Sequence, residues 1–315
     1  MNTIEDTIKA IDAMAASLLL TEYASSRPDL IELYERAKSK QWSAADLPWE
    51  TPYPARGLFV DERMLSLYGT PYYQAMSPVR RAEYNRLETA WVLSQFMHGE
   101  QTSMLVCGQL MAALPELDAK FYAASQGYDE ARHTEVYRRY VGERLGLVYE
   151  IDEQLRFLCD TALKAPDWAM KLVANQVVIE SLALGAFKTL FEAAQDTLLA
   201  ELLARVMQDE ARHIAFGRLA LERALVECDE PTRARYEDFL ATCTQMMYYG
   251  FFPAAVFRDL GLDDVPQLRA YVNASEQRRL FRSNLFPQLI PSARSIGLIT
   301  DRTIGRYRAL GIDVA

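Results

Sequence analysis

The pentapeptide Asp-Glu-Ala-Arg-His occurs twice in this chain, at residues 129–133 and again at residues 209–213. In each copy a glutamate precedes a histidine by three residues, as Glu130 and His133, and as Glu210 and His213. Side chains three residues apart on an α-helix lie on one face, so a carboxylate oxygen and an imidazole nitrogen can reach the same cation. The repeat therefore predicts two metal ions, one at each Glu-x-x-His pair.

A further glutamate precedes each copy at the same distance. Glu100 lies thirty residues before Glu130, and Glu180 lies thirty residues before Glu210. A helix-helix turn is predicted midway in each half, at a proline in the first and at a Gln-Asp-Thr sequence in the second. Fifteen residues along each helix, at 1.5 Å per residue, place both glutamates of a pair about 22 Å from the turn. All four glutamates and both histidines are therefore expected to converge.

A single Glu-x-x-His pair is more often a solvated helix face than a metal site. Two observations favour the metal site here. The chain has only three histidines, and two of them occupy matching positions in the repeat. The sequences around Glu100 and Glu180 are apolar, and a buried carboxylate must be paired, protonated or bound to a metal. The third histidine, His98, points about 200° away from Glu100 on a helix and is not expected to be a ligand.

The composition limits the classes of function. The chain has 315 residues, half of them hydrophobic, and a formal net charge of −9 without a basic stripe, so a nucleic-acid partner is not expected. The four cysteines show no paired spacing, so neither a disulfide framework nor a cysteine-based zinc or iron-sulfur motif is indicated. No signal peptide or apolar stretch long enough for a membrane span is recognised. A cytoplasmic protein is predicted.

The apolar periodicity predicts an almost wholly helical chain, with Gly and Pro concentrated at a few joints. The long helices are expected at about 81–113, 117–144, 167–195 and 197–227, with some twenty residues connecting the second to the third. Two hairpins joined by one long crossover are the connectivity of a ferritin-like four-helix bundle. The predicted fold class is therefore all-α, a ferritin-like four-helix bundle with additional N-terminal and C-terminal helices.

The remaining segments are expected to belong to the same domain, 1–315. Residues 1–80 predict two helices and then a segment rich in Trp, Pro and Tyr that wraps the core. Residues 81–228 form the metal-binding core, and residues 229–315 add further helices. The first of these has an aromatic middle at 248–252, and Pro253 is expected to kink it.

These residues resemble the ferritin-like di-iron carboxylate proteins, which include the ribonucleotide reductase small subunit, the bacterial multicomponent monooxygenase hydroxylases and the ligand-binding oxidases. The resemblance covers roughly residues 81–228 and implies two ligand sets: Glu100, Glu130 and His133 for one metal, and Glu180, Glu210 and His213 for the other. It also implies that Glu130 and Glu210 bridge the two ions. In the hydroxylases an Asp before each motif glutamate orients the opposite histidine, so Asp129 would support His213 and Asp209 would support His133.

The resemblance implies an O2-activating non-haem di-iron oxidase or monooxygenase that oxidises a small organic substrate held in an apolar pocket. Hydroxylation, N-oxygenation, desaturation and C–C cleavage are not distinguished, nor is a pair of Fe ions from a Mn/Fe pair. A separate electron-donor protein, either a ferredoxin or a reductase, and a homodimer are also implied. The alternatives are a Mn/Fe ligand-binding oxidase and a ferritin-like protein that oxidises iron or removes peroxide.

Several positions depart from particular members of this superfamily. Tyr137 stands four residues after His133, where the reductase subunit carries its radical tyrosine, so a redox-active tyrosine is one hypothesis and a core tyrosine the more common alternative. The ligand-binding oxidases form a Tyr-Val crosslink, but the matching positions here are Asn175 and Ser103. The arylamine N-oxygenases add a histidine one turn before the second motif, where this chain has Val206.

Overall fold

The computed structural model describes residues 17–314, apart from the side chains at positions 227, 277 and 288. Its helices are, in chain order, α1 (Pro28–Ser39), α2 (Pro78–Ala113), α3 (Leu117–Arg139), α4 (Glu153–Lys164), α5 (Trp168–Ala193), α6 (Thr197–Glu227), α7 (Glu230–Tyr249), α8 (Ala254–Asp259), α9 (Val265–Ala274), α10 (Glu276–Ser295) and α11 (Ile304–Ala309). The described part of the chain has no β-strand beyond one isolated bridge, so the predicted all-α class is confirmed.

Helices α2, α3, α5 and α6 form the central bundle as two hairpins, α2–α3 and α5–α6, joined by a crossover that contains α4. Their bounds lie close to those predicted. The largest difference is at the end of α3, where the α-helix gives way to a π-helical turn over Tyr140–Leu145. Both hairpin turns occur where predicted, and Asp196 caps α6 by accepting a hydrogen bond from the backbone N–H of Leu198.

The segment between α1 and α2 runs over the surface of the bundle. It contains single helical turns at Ala44–Asp46, Ala55–Gly57, Glu62–Met64 and Pro71–Gln74. It meets the end of α5 through an antiparallel bridge between Val60 and Ala194. Helix α1 itself packs against α3 and α6. The segment therefore lies along the surface of the bundle. Any helix expected within residues 1–16 lies outside the described residues.

The prediction of a kink at Pro253 was wrong, because the helix ends before this residue. Helix α7 stops at Tyr249, Gly250 is extended, and Phe251 adopts a left-handed backbone conformation with φ +66°. Pro253 then stands just before the short helix α8. The extended Gly250 ends the helix three residues before Pro253, so the proline has no helix to bend.

Helix α10 packs along α5 at short range. The close approach depends on Gly185, because a Cβ atom at this position would lie 2.6 Å from the backbone oxygen of Asn284 and 2.9 Å from the Cα of Leu285. Both atoms belong to the backbone and cannot rotate away. Glycine is therefore required at this crossing of α5 and α10.

The hydrophobic core consists of two clusters, and the bundle helices pass from one to the other. On α3, Tyr122 lies in the first cluster and Tyr137 in the second; on α6, Phe216 lies in the first and Leu203 in the second. The Asp-Glu-Ala-Arg-His motifs occupy the stretch between these residues on both helices. The fold therefore places the two motifs in a polar layer between two apolar clusters.

The expectation that no apolar stretch is long enough for a membrane span was wrong for α5, which passes this test by length and composition alone. However, 89% of its most apolar window is buried within the protein, where it packs against α6, α7 and α10. A central core helix of a bundle has this composition because it is covered on all sides.

Candidate metal centre

Four glutamates and two histidines from the four bundle helices meet in the polar layer. Helix α2 supplies Glu100, α3 supplies Glu130 and His133, α5 supplies Glu180, and α6 supplies Glu210 and His213. Their potential ligand atoms form two groups, in each of which the atoms lie within 4.8 Å of one another: Glu100, Glu130, His133 and Glu210, and Glu130, Glu180, Glu210 and His213. Glu130 and Glu210 belong to both groups, as residues that bridge two ions must.

The two halves of the site are arranged alike. The Nδ1 atom of His133 lies 3.3 Å from Glu100 Oε2 and 3.1 Å from Glu210 Oε1. In the other half, Nδ1 of His213 lies 3.2 Å from Glu210 Oε2 and 3.1 Å from Glu130 Oε1. Each imidazole therefore directs Nδ1 toward the carboxylates, and one nitrogen of each ring is available to a cation between them.

The donor set fits a pair of divalent cations. All six side chains are buried, and two of their carboxylate oxygens, Glu130 Oε2 and Glu210 Oε1, accept no hydrogen bond within the described part of the chain. A buried carboxylate oxygen without a partner is costly, and a cation would satisfy it. Carboxylate and imidazole are also the ligands of the inward-facing Glu and Glu-x-x-His sets in dinuclear helical bundles.

The pKa values of the glutamates in the site are shifted in opposite directions. Burial, together with the nearby Glu210, raises the pKa of Glu100 well above its usual range, and burial with Glu130 does the same to the pKa of Glu180. Burial acts on Glu130 too, but His213 and His133 outweigh it and hold the pKa of Glu130 well below its usual range. Such a cluster requires its negative charge to be neutralised, by protons or by metal cations.

The outer nitrogen of each histidine faces an aspartate from the opposite motif. His133 Nε2 lies 3.0 Å from Asp209 Oδ2, and His213 Nε2 lies 3.3 Å from Asp129 Oδ2. This crossed pairing is the arrangement implied by the resemblance. With a cation bound, a carboxylate at this position would set the tautomer of the imidazole, so that Nε2 would carry the proton and Nδ1 would present its lone pair to the cation.

Two arginines join the two aspartates across the bundle. Arg132 donates from Nη2 to Asp129 at 2.6 Å and to Asp209 at 2.8 Å. Arg212 donates from Nη2 to Asp209 at 2.5 Å and to Asp129 at 3.3 Å. Burial would raise the pKa of Asp209, but His133 and the two arginines hold it well below its usual range. Both aspartates are therefore ionised when they support the histidines.

Two residues that the sequence analysis did not identify cover the side of the site on which Asp129 and Asp209 lie. Gln41 and Trp42 follow α1 directly, outside the bundle. Trp42 donates from Nε1 to Asp209 Oδ2 at 2.8 Å, and Gln41 donates from Nε2 to Asp129 Oδ1 at 2.9 Å. The indole ring also stacks on His133, with the ring centroids 6.4 Å apart. Only the aromatic composition of the wrapping segment indicated such contacts in advance.

An amide network surrounds Glu180 on the opposite side. Gln126 donates to Glu130 Oε1 at 2.9 Å and to Glu180 Oε1 at 3.1 Å, and Asn175 donates to Glu180 Oε1 at 2.8 Å. Ser103 in turn donates to Asn175 at 3.0 Å. Asn175 belongs to a π-helical turn, Val173–Ile179, which ends directly before Glu180. Such turns inside α-helices occur frequently at functional sites.

The two halves differ four residues after each histidine. Tyr137 stands after His133, and its ring is fully buried against Phe96 and Phe187, while its hydroxyl has no partner among the described residues. Burial, with a contribution from Glu100, raises the pKa of Tyr137 well above its usual range, so the phenol is neutral. The matching residue after His213 is Gly217, where a Cβ atom would lie 2.2 Å from the Cβ of Gln176.

Val206 and His98, the other two positions considered in the sequence analysis, do not add a ligand to the metal centre. Val206 packs in the second apolar cluster beside Leu202 and Leu203, as its side chain dictates. The Nε2 atom of His98 lies 3.0 Å from the backbone oxygen of Tyr149, and His98 belongs to neither ligand group.

An apolar cavity of about 140 Å³ adjoins the site. Glu100 and Glu180 line it, together with apolar residues of α2, α5 and the C-terminal helices, such as Phe96, Phe187 and Leu285. An engineered apolar cavity of about this size in another protein holds benzene. The cavity can therefore hold a small apolar molecule next to two of the four glutamates.

A third buried carboxylate, Glu88, also lines this cavity. It accepts hydrogen bonds from the backbone N–H and the hydroxyl of Ser66 at 2.9 and 3.0 Å. Burial nevertheless raises the pKa of Glu88 to about 7, against hydrogen bonds from Tyr84 and Ser66 that act in the opposite direction. The group therefore changes its charge near neutral pH.

This pKa predicts a pH-dependent stability. A raised acid pKa in the folded state contributes stability that is complete below the ordinary pKa of 4.5 and is lost as the pH rises through about 7. Between pH 5 and 8 the free energy of unfolding should therefore fall more in the wild type than in Glu88→Gln, by up to about 3 kcal/mol. Urea denaturation of both proteins across this range measures the difference, and parallel pH profiles would contradict the prediction.

Comparisons with known proteins identify a family and a fold to which the chain is similar. The family described as p-aminobenzoate N-oxygenase AurF matches residues 26–297. Among solved structures, a variant of the R2-like ligand-binding oxidase with an aerobically reconstituted Mn/Fe cofactor is similar, with a TM-score of 0.57 and 18% identity over 87% of this chain and 96% of that one. A second variant of that oxidase, with an Fe/Fe cofactor, has the same TM-score and identity over 87% and 95% of the two chains. At this identity the likeness concerns the fold. No curated protein sequence matches the chain significantly.

Proposed function

Because the chain belongs to the p-aminobenzoate N-oxygenase AurF family, we propose that it is an O2-activating dinuclear non-haem iron oxidase or monooxygenase acting on a small organic substrate. The observation that carries this proposal is the pair of buried ligand groups that share Glu130 and Glu210. A dinuclear site beside an apolar cavity can supply electrons to dioxygen and hold the molecule to be oxidised at the same place.

The six residues at the centre of the polar layer are proposed to hold the two ions. Glu100 and His133 serve one ion, Glu180 and His213 serve the other, and Glu130 and Glu210 serve both. When bound, a pair of ferrous ions supplies two electrons together to dioxygen. The solved relatives carry Mn/Fe or Fe/Fe cofactors, so a mixed pair is the alternative for this chain.

The surrounding residues orient these ligands and exclude water. Asp209 and Asp129 hold the two imidazole rings, and the buried guanidinium of Arg132 lies between both carboxylates. Trp42 covers part of this side through its contacts with Asp209 and His133. Exclusion of water strengthens each of these electrostatic contacts, because the local dielectric is low.

The opposite side is the proposed side of substrate binding. Glu100 and Glu180 line the apolar cavity, whereas Glu130 and Glu210 are not among its lining residues. The two cavity-lining carboxylates are thus the ligands nearest a bound substrate. Oε1 of Glu180 takes amide hydrogen bonds from Gln126 and Asn175, which fixes this carboxylate and leaves Oε2 directed toward the site.

N-oxygenation of a small arylamine is the reaction that the family name favours, since that name describes p-aminobenzoate as the compound oxidised by the namesake. The chain differs from the arylamine N-oxygenases at Val206, so its ligand set has two histidines without the third. We therefore propose oxidation or mono-oxygenation of a small organic substrate, and we do not restrict the reaction to N-oxygenation. A redox role for Tyr137 is a further part of the hypothesis, supported by its full burial and its neutral, unpartnered hydroxyl.

A separate electron-donor protein and a homodimer complete the proposal. The four cysteines are free, which fits both a reducing cytoplasm and the need for an external ferredoxin or reductase to return electrons. Exposed apolar side chains on the neighbouring helices α2 and α3 support a contact between two copies: Leu105, Met111, Phe121 and Tyr128. A single domain over 1–315 is proposed, and the contacts of residues 17–80 and 229–314 with the bundle support it within the described part of the chain.

The test is anaerobic loading of metal-free protein with ferrous iron, followed by rapid mixing with oxygenated buffer. We expect about two irons per chain and a transient absorption in the visible range, because a dinuclear site is oxidised as a unit. A colourless reaction with one iron or none would contradict the proposal, unless manganese with iron restores it. Many ferric ions per chain in a soluble shell would instead identify an iron-storage protein.

A further inference from the structure

A strained backbone position lies in the wall of the cavity beside the metal centre. Phe251 has φ +66°, in the left-handed region that bulky side chains rarely adopt, and both Phe251 and Pro253 line the cavity. Helix α7 ends two residues earlier, at Tyr249, and α8 begins at Ala254. The four residues between these helices, 250–253, therefore form a short non-helical segment, which we call the cavity loop.

The cavity loop lies at the surface end of the cavity. Phe251 of this loop and Phe281 of α10 are half-buried. The other described lining residues from α7 to α10 are buried: Met247, Pro253, Val272, Arg278 and Leu285. Next to the two half-buried rings in sequence, Tyr249 is 60% exposed and Leu280 is 41% exposed. Phe251 and Phe281 therefore lie between the cavity and solvent.

The rings of Phe251 and Phe281 contact each other across this end of the cavity. Their centroids are 5.9 Å apart and their planes make an angle of 79°, which is the edge-to-face arrangement that aromatic pairs prefer. One ring belongs to the cavity loop and the other to α10, so the contact joins two separate elements. A displacement of either ring would open a path from solvent to the cavity.

Two arginines of α10 hold the cavity loop and the end of α7. Arg278 donates from Nη2 to the backbone oxygen of Phe251 at 2.5 Å, and Arg282 donates from Nε to that of Tyr248 at 3.3 Å. Cationic side chains stabilise the free carbonyls at the C-terminus of a helix in this way. The hydrogen bond from Arg278 thus supports a left-handed conformation that is unfavourable for phenylalanine by itself.

Two opposing contributions therefore act on the cavity loop. The hydrogen bond from Arg278 and the contact with Phe281 favour the observed position, and the left-handed backbone of Phe251 opposes it. Strained residues persist only where their surroundings hold them, and they are frequent in segments that move around a ligand. Closing segments of this kind move on microsecond to millisecond timescales.

We propose that Phe251 and Phe281 form a gate through which small apolar molecules enter the cavity, with the cavity loop as its moving part and Arg278 as the group that holds it closed. The gate rests on the proposed function only for its role in catalysis, because the cavity adjoins the metal site. While a substrate is bound, a closed gate keeps water away from Glu100 and Glu180.

The test measures how fast fluorobenzene, a neutral probe with one ring, enters and leaves the full-length, metal-free protein by fluorine NMR exchange. The cavity of about 140 Å³ is large enough for one ring. Phe251→Gly removes one ring of the gate and also the strain, because glycine adopts positive φ readily. The association and dissociation rate constants should rise together by about ten-fold or more, because a minor open state is populated at about 10% or less. The Kd should change little, since a gate is crossed in both directions.

Two further variants accompany this measurement. Phe281→Ala removes the other ring and leaves the strained residue in place, so both rate constants should rise in the same way. Tyr249→Ala is the matched control, because Tyr249 directly precedes the cavity loop, is exposed and does not line the cavity. Its rate constants should equal those of the wild type, and a rise as large as in Phe251→Gly would contradict the gate.

The structural alternative is that the two rings are only parts of the cavity wall. Phe251→Gly and Phe281→Ala would then change the Kd through the dissociation rate constant alone, and an association rate constant equal to that of the wild type would overturn the proposal. If neither variant folds, Phe281→Leu replaces them, since leucine keeps an apolar side chain but no ring. The same criterion applies to Phe281→Leu: a raised association rate constant supports the gate, and an unchanged one overturns it.

The outcome is independent of the test of the proposed function. Exchange of the probe is measured without metal and without oxygen, so a failure of oxygen activation leaves the rate constants unaffected. Conversely, an ungated cavity would leave the iron content and the reaction with oxygen as proposed.

Discussion

Glu130→Ala is expected to lower the metal content of the protein from about two ions per chain to well below one, because Glu130 contributes to both ligand groups. Glu100→Ala removes a residue that belongs to one group only, so about one ion should remain. The measurement is elemental analysis after anaerobic incubation with excess ferrous iron and desalting. The ratio of the metal contents of Glu130→Ala and Glu100→Ala distinguishes a ligand shared by two ions from a ligand of one ion.

Two further variants control this experiment. Glu135→Ala lies on the same helix α3 at an exposed position and should bind as much metal as the wild type. Glu130→Gln keeps the volume of the buried side chain and removes its charge, so it separates loss of a ligand from loss of packing. Equal metal content in Glu130→Ala and Glu100→Ala would refute the bridging role of Glu130.

Gly185→Ala is expected to reduce the free energy of unfolding by about 1–3 kcal/mol, the usual cost of overpacking. The added Cβ would lie 2.6 Å from the backbone oxygen of Asn284, so helices α5 and α10 would have to separate. The better helix propensity of alanine opposes this loss by at most about 1 kcal/mol. Chemical denaturation and the melting temperature measure the net effect.

The same substitution at Gly108 should change the free energy of unfolding in the opposite direction. Gly108 lies within α2 at an exposed position, and nothing lies within 4 Å of a Cβ added there. Gly108→Ala should therefore stabilise the protein by about 0.5–1 kcal/mol through helix propensity alone. Equal changes in stability for Gly185→Ala and Gly108→Ala would show that a Cβ atom at position 185 does not overpack the crossing of α5 and α10.

The bundle and the centre of the site could be predicted because their signals are local and repeated. The thirty-residue spacing from Glu100 to Glu130 and from Glu180 to Glu210 follows from helix rise alone, and the structure brings all four carboxylates together. The crossed contacts of Asp129 with His213 required a resemblance, since periodicity does not indicate which residues face each other across a bundle.

The other residues of the site could not be predicted, because they reach it through contacts between distant parts of the chain. Trp42 donates to Asp209 across a sequence separation of 167 residues, and no spacing rule connects them. Arg278 is one arginine among many on amphipathic helices, and only the structure shows that it is buried in the cavity wall. The break after Tyr249 was missed because Pro253 gave a stronger local signal than Gly250.

The contacts of Gln41 and Trp42 with Asp129 and Asp209 also determine how the protein can be shortened. A fragment cut to the four bundle helices would keep every proposed metal ligand and both arginines, and it would lose the donors Gln41 and Trp42. Removal of α10 would in addition take away Arg278 and open the cavity wall. The smallest autonomous unit of this chain is therefore longer than its ligand set suggests, and any minimal version should begin before α1 and extend through α10.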